Sequence, residues 1–566
     1  MKPKFECKSS ISSEALIAAG PNPKLVGAID QGTSSTRFLL FTQKGEIAAS
    51  AQMEHTQIFP SDHVGWHEHD PFEIWSNTLH CMKSVMDAMI ESEFSFDVDP
   101  NSSSSPIEAI GITNQRETTI AWNATTGKPY YNALVWDDLR TVSIAEMIGK
   151  GDADLLRGKT GLPLASYFAG TKVRWLIDNV QQLKDDLMDQ TKRDQVRFGT
   201  VDTWLVYQLT GSPTSSSSDG ESGVGNVGGL FITDVSNASR WLFMDLETLD
   251  WDQSLVDKVC DGSDVTVPVS ALPQIKASSS VYGNTHSKFG VDSLCGVPIS
   301  GILGDQQAAL FGQGAFKPGE AKNTYGTGLF LMMNTGKKMK PSTHGLLTTV
   351  GYKIGDDGDV IYALEGSVSH SGSTIQWLRD QLQIIGDAAE SETLASQVSS
   401  NDGLYFVPAF AGLFAPYWRS DARACILGMT SSHNRNHIAR AALEACAYQT
   451  KDVFDAIYAD SNVELKELRV DGGGTSNKLL MQFQSDIINV PVVKPVVKET
   501  TSLGAAFAAG LAVGVWKDLD ELRALWKEEG RFEPSMDESE RSKNWTGWKR
   551  AISKSMGWVP SEGEAN

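Results

Sequence analysis

Three glycine turns, each preceded by an apolar run of strand length, limit the folds open to this chain more than any other feature. They are Asp30-Gln31-Gly32-Thr33-Ser34-Ser35, Tyr325-Gly326-Thr327-Gly328 and Asp471-Gly472-Gly473-Gly474-Thr475. Glycine lets a backbone approach a bulky anion, while Thr and Ser hydroxyls and main-chain N–H groups bond phosphate oxygens without a full positive charge. One such turn is an ordinary hairpin; three, spread over a long chain, describe a phosphate grip built from distant segments.

A chain of 566 residues is too long for one core, so two large domains with insertions are expected. The 41% hydrophobic and 21% charged fractions are those of a soluble globular protein. A net charge of −21 argues against nucleic acid as partner, because that recognition relies on clustered Lys and Arg. Six scattered cysteines without a C-x-x-C pair read as free thiols in a reducing, cytoplasmic setting. No apolar run reaches membrane-spanning length; the Gly/Ala-rich stretch Leu503 to Trp516 suits close helix packing inside a protein. Asn123-Ala124-Thr125 and Asn237-Ala238-Ser239 match a glycosylation acceptor only by accident of composition.

The layout is α/β. Leu25 to Ile29, Phe38 to Phe41 and a hairpin at Gln43 to Glu46 form a meander around the first turn. Asp70 followed by Pro71 starts a helix through Leu79 and Val85, and strand Ile107 to Ile112 delivers Asn114-Gln115-Arg116-Glu117 to its end. Val297 to Leu303 repeats the pattern, as does Asn323 to Met333, and Leu468 to Val470 feeds the triple glycine, with a helix beyond Asn477 whose N-terminus favours an anion. Asp97 to Pro106 and Ser212 to Gly229 are serine- and glycine-rich insertions from which no chemistry is expected. The expected domains are a tail over 1–24, a first domain over 25–313 and a second over 314–566.

Asp30 to Arg37, Gly111 to Thr119, Phe198 to Trp204, Gly304 to Ala309 and Asp471 to Gly474 together resemble the glycerol kinase branch of the carbohydrate kinase family, in order and from about Leu25 to about Trp558. The resemblance implies two ribonuclease-H-like, actin-like ATPase domains with an interdomain cleft, and transfer of the γ-phosphoryl group of Mg-ATP to glycerol. It implies glycerol contacts at Arg116, Glu117, Trp136, Tyr167, Asp305 and Gln306, with Asp305 as general base, and Mg²⁺ at Asp30. It implies nucleotide contacts at Thr33, Ser34, Ser35, Arg37, Thr327, Gly372, Gln376, Gly473 and Asn477, and a homodimer or homotetramer. Read alone, Asp305 is also a helix N-cap and Arg37 a surface cation. Pro163 to Ser166 departs from the Asp-Pro-Tyr common in bacterial relatives, and Val281 to Pro298 lacks their glycine-arginine loop, so control by fructose 1,6-bisphosphate is not expected. Two rivals stay open: a pentulose kinase with the same phosphate turns, and a switching ATPase without an acceptor pocket.

Overall fold

The computed structural model describes residues 5–20, 23–92, 106–213 and 225–559. Almost all of the insertion expected at Asp97 to Pro106, and the centre of that at Ser212 to Gly229, lie outside these residues. The chain forms two compact units. The first comprises 1–314, 349–362 and 499–525; the second comprises 315–348, 363–498 and 526–566.

In the first unit a seven-stranded sheet runs in the order Lys8–Ile11, Ile47–Glu54, Ser35–Thr42, Leu25–Gln31, Ile107–Asn114, Pro298–Gly304, Ser279–Asn284. The strands 25–31, 107–114 and 298–304 are mutually parallel, and the hairpin 25–31/35–42 is antiparallel. Ile110 and Ile112 enter a core shared with Ile74, Met82 and Val85 of the helix Pro71–Glu91, which opens as expected with Asp70 accepting from the Phe72 N–H. Alternation along the strand turns Gly111 to the other face. There a Cβ at Gly111 would lie 2.1 Å from the Ala505 carbonyl, and one at Gly301 would lie 2.5 Å from the Ala509 nitrogen. The Gly/Ala-rich run is thus the helix Thr500–Ala512, laid on the parallel strands at backbone contact.

That packing explains why the division differs from a continuous second domain over 314–566: the helix meets Gly111 and Gly301 of the strands through the small residues Ala505 and Ala509, so no bulky side chain holds it off the sheet there. Its neighbour is the helix Asp305–Gly312, and the two touch through reciprocal glycines. A Cβ at Gly504 would sit 1.9 Å from the Ala308 carbonyl, and one at Gly312 would sit 1.9 Å from the Thr500 carbonyl. Gly504→Ala should therefore cost about 3 kcal/mol or more, at the upper end of overpacking effects. Chemical denaturation measures it, and a wild-type midpoint would refute the close approach.

The tail expected over 1–24 also contains ordered elements. Lys8–Ile11 adds an edge strand to Ile47–Glu54, and Ser12 caps the helix Ser13–Ala19, which buries Leu16. The strand is held by main-chain bonds and is mostly exposed, so no apolar alternation announces it.

The second unit repeats the central order of the first. A seven-stranded sheet runs Leu347–Lys353, Val360–Val368, Leu329–Gly336, Glu320–Tyr325, Glu467–Asp471, Val492–Pro495, Glu528–Phe532, and its last five strands in this order lie wholly in the second unit. Again an antiparallel hairpin, 320–325/329–336, carries a glycine turn at its tip, and two parallel strands continue from its first strand. The 27-residue helix Arg435–Ser461 and the helix Lys478–Ile488 fill its core with Ala442, Tyr448, Met481 and Phe483.

Candidate active site

In the first unit the ends of the three parallel strands bring distant motifs together. Asp30 stands opposite Thr113, and Gly304 opposite Asn114, so Asp30, the Gln115-to-Glu117 turn and Asp305 emerge at one sheet edge. The Gln115 N–H donates to the Gln31 carbonyl (2.7 Å), and the Gln115 side chain donates to the Gly32 carbonyl (3.1 Å), which ties this turn to the first glycine turn. A Cβ at Gly304 would lie 2.6 Å from the Arg116 side chain, so any larger residue there would have to displace Arg116.

Asp305 is the first residue of its helix, with Gly304 as N-cap; the expected capping role falls one residue earlier. Its Oδ1 accepts from the Gln306 N–H (2.7 Å), Gln306 Nε2 donates to Oδ2 (3.1 Å), and Arg116 Nε lies 3.1 Å from Oδ1. The Arg116 side chain is 2% exposed and that of Asp305 is 32% exposed, so a buried guanidinium holds a carboxylate that reaches solvent. Arg116 Nη1 also donates to Gln307 Oε1 (3.3 Å). Glu117 adopts φ 60°, and the turn sends its carboxylate to the buried Arg240, whose Nε donates to Oε1 at 2.5 Å. Such a conformation in a non-glycine residue is held by its surroundings and often marks a functional turn.

The aromatic pair expected beside these groups is present. Trp136 and Tyr167 meet edge to face, with centroids 5.6 Å apart, and Arg240 lies over the Tyr167 ring at 5.5 Å. The Trp136 indole N–H donates to Thr33 Oγ1 (2.9 Å), linking this wall directly to the first glycine turn. Asp30 is partly buried, and loss of solvation pushes its carboxyl up to about 6 against the opposing pull of Arg37 and the Ser502 hydroxyl, which donates to Oδ2 at 2.7 Å. Ser34 is exposed on the turn and Thr33 half-buried, whereas Ser35 is buried at the start of the next strand. Arg37 is engaged by Glu499 (2.6 Å), an intra-unit pair that the sequence reading missed.

In the second unit the three segments expected to hold the nucleotide also converge. The Gly372 N–H donates to the Gly326 carbonyl (3.1 Å), and the Ser371 N–H donates to the Thr327 carbonyl (3.0 Å), joining the turn to the start of the helix Gly372–Asp380. Gln376 is exposed one helical turn on from Gly372. Cβ atoms at Gly328, Gly372 and Gly472 would lie 2.3–2.5 Å from the carbonyls of Val368, Gly326 and Tyr325, whereas Gly473 is open. The helix N-terminus expected to receive an anion already has one: Glu392 Oε1 accepts from the Lys478 (3.0 Å) and Leu479 (3.2 Å) N–H groups. Asn477 caps that helix through Oδ1, accepting from the Leu480 N–H at 2.9 Å. Thr327, Gln376 and Gly473 remain exposed, and a Cβ at Gly473 would meet nothing within 4 Å.

Several buried groups escaped the sequence reading because their partners are far along the chain. Asn237 is 1% exposed and pairs with Asn114 (3.1 Å), so the side chain of this acceptor-like triplet is spent inside the core. Asp202, in the Phe198-to-Trp204 motif, accepts from the Thr200 and Thr233 hydroxyls, both at 2.6 Å. Burial pushes its carboxyl up to about 6, above the 3.8 of an unstructured Asp. A raised folded-state value favours folding at low pH, and that contribution is lost as pH rises from about 4 through about 6. Stability should therefore fall by up to about 3 kcal/mol on that account. Denaturant midpoints at the two ends of this window check it, and Asp202→Asn should flatten the difference; an equal slope in the variant would remove Asp202 as its source.

Residues 25–312 match the N-terminal domain, and residues 321–513 the C-terminal domain, of the FGGY family of carbohydrate kinases. The chain belongs to the FGGY family. This FGGY carbohydrate kinase is 52% identical over 540 residues to the glycerol kinase of Clavibacter michiganensis subsp. michiganensis, covering 95% of this chain and 99% of that one. It is also 52% identical to the glycerol kinase of Renibacterium salmoninarum, over 94% of this chain and 98% of that protein. Among solved structures, Plasmodium falciparum glycerol kinase with ADP superposes with a TM-score of 0.83 at 39% identity, covering 94% of this FGGY kinase and 98% of that chain. The gluconate kinase of Lactobacillus acidophilus shares the two-domain fold, with a TM-score of 0.77 at 20% identity over 94% and 97% of the two chains.

Proposed function

We propose that this kinase transfers the γ-phosphoryl group of ATP to a terminal hydroxyl of glycerol, giving sn-glycerol 3-phosphate and ADP. The observation that carries the reading is the Arg116–Asp305 pair at the parallel strand ends, with Glu117 and Gln306 adjoining it. Fixed charged donors and acceptors suit a small neutral polyol, since a poorer substrate leaves them unpaired. Trp136 and Tyr167 add an apolar wall for the carbon skeleton.

Asp305 is the general base: its carboxylate is aimed by Gln306 and Arg116, and accepts the proton of the attacking hydroxyl as the new P–O bond forms and the bond to ADP breaks. Thr33, Ser34 and the turn backbone bind phosphate oxygens in the first unit, with Ser35 and Arg37 supporting the turn from its following strand. Thr327, Gly372, Gln376, Gly473 and Asn477 hold the nucleotide in the second, where no Cβ fits at Gly328, Gly372 or Gly472. Asp30, a partly buried carboxylate, suits Mg²⁺, the ion that neutralises charge on the transferred phosphates when bound. Among the described residues no helix is long and apolar enough to cross a membrane. All six cysteines are free, which suits a reducing, cytoplasmic setting. The homodimer or homotetramer that the family resemblance implies is testable by light scattering.

The deciding experiment is Mg-ATP-dependent ADP release across glycerol, dihydroxyacetone, xylulose, ribulose and no acceptor. Strong preference for glycerol is expected. Preference for a pentulose would overturn the roles of Arg116, Glu117 and Tyr167, and acceptor-independent turnover would point to a switching ATPase.

A further inference from the structure

We infer that Lys172 is a positioning residue that sets the separation of Trp136 and Tyr167, and through it the affinity for glycerol; the inference rests on the acceptor-pocket reading above. Lys172 is fully buried on the helix Ala169–Asn179, behind the aromatic pair. Its Nζ donates to the main-chain carbonyls of Ser166 (2.8 Å), Tyr167 (2.8 Å) and Trp136 (3.5 Å). Trp136 and Tyr167 lie on different loops, and this one ammonium bonds the backbones of both.

An ammonium has three N–H donors, matching the three carbonyls; a neutral amine has two and presents a lone pair that a carbonyl repels. Loss of the proton therefore loosens the contact joining the two loops. The charged groups acting on it are Glu117, on the turn after strand Ile107–Asn114, and Asp137, Asp138 and Arg140, on the loop after Trp136. The three carboxylates favour the cation, Arg140 opposes it, and burial outweighs them all, pushing the ammonium down to about 8. The wild-type enzyme should then lose glycerol affinity as pH rises through that value, while ATP binding, which uses other residues, is spared.

The test measures glycerol KM, ATP KM and kcat from about pH 7 to about pH 9.5, for the wild type and Lys172→Met. At the lower pH, Lys172→Met should raise glycerol KM by about 10-fold or more, as sub-ångström pocket errors do, with kcat at saturation and ATP KM within about 3-fold of wild type. The alkaline rise in glycerol KM should be present in the wild type and absent in the variant. A glycerol KM in the wild type that is flat across this range overturns the role of Lys172 whether or not the variant folds, as does a wild-type KM in Lys172→Met. Absence of glycerol-dependent turnover in the wild type would instead overturn the acceptor reading, and this inference with it.

Discussion

Asp305→Asn should lower kcat by about 10²- to 10⁴-fold, the range for loss of a general base. The substitution keeps the shape of the side chain, and a carbonyl oxygen in place of Oδ1 can still accept from the Gln306 N–H and from Arg116. What it removes is the ability to take up a proton. ADP affinity should stay within about 3-fold of wild type, because Asp305 is assigned to the acceptor hydroxyl and not to the nucleotide. Single-turnover phosphoryl transfer and ADP titration together check the prediction. Near-normal turnover would remove Asp305 from its role, and loss of ADP binding would show that the substitution damages more than the chemistry.

Arg116→Ala should raise the glycerol KM by roughly 10- to 100-fold, the equivalent of losing one hydrogen bond to a charged group. The effect is expected in KM more than in kcat, since the contact is made before the transition state as well as in it. Arg116→Lys should rescue little. Nε serves Asp305 and Nη1 serves Gln307, and a single ammonium cannot occupy both places. Steady-state kinetics on the two variants distinguish these outcomes, and an unchanged glycerol KM in Arg116→Ala would place the guanidinium outside the pocket.

Much of the architecture was legible locally. The Asp-Pro start of the helix Pro71–Glu91, the glycine turns between hairpin strands and the Gly/Ala stretch all carry their signal within a dozen residues, where period and turn chemistry are read directly. The edge strand Lys8–Ile11 was not legible, because main-chain pairing leaves no mark on side-chain pattern. Nor was the fate of the Lys478 helix start. The rule that an anion is favoured there held, but the anion is the Glu392 carboxylate, 86 residues earlier in the chain.

By itself the sequence determined the α/β class, the doubled hairpin-and-glycine-turn plan and the residue types able to bind phosphate and a polyol, because each is written in short-range spacing. Only the tertiary structure decided that residues 499–525 fold with the first unit, that Arg240 buttresses Glu117 and Tyr167, and that Lys172 ties Trp136 to Tyr167. Those choices depend on which distant backbones can come within van der Waals contact and which buried charges then find partners, and both are settled by packing in three dimensions.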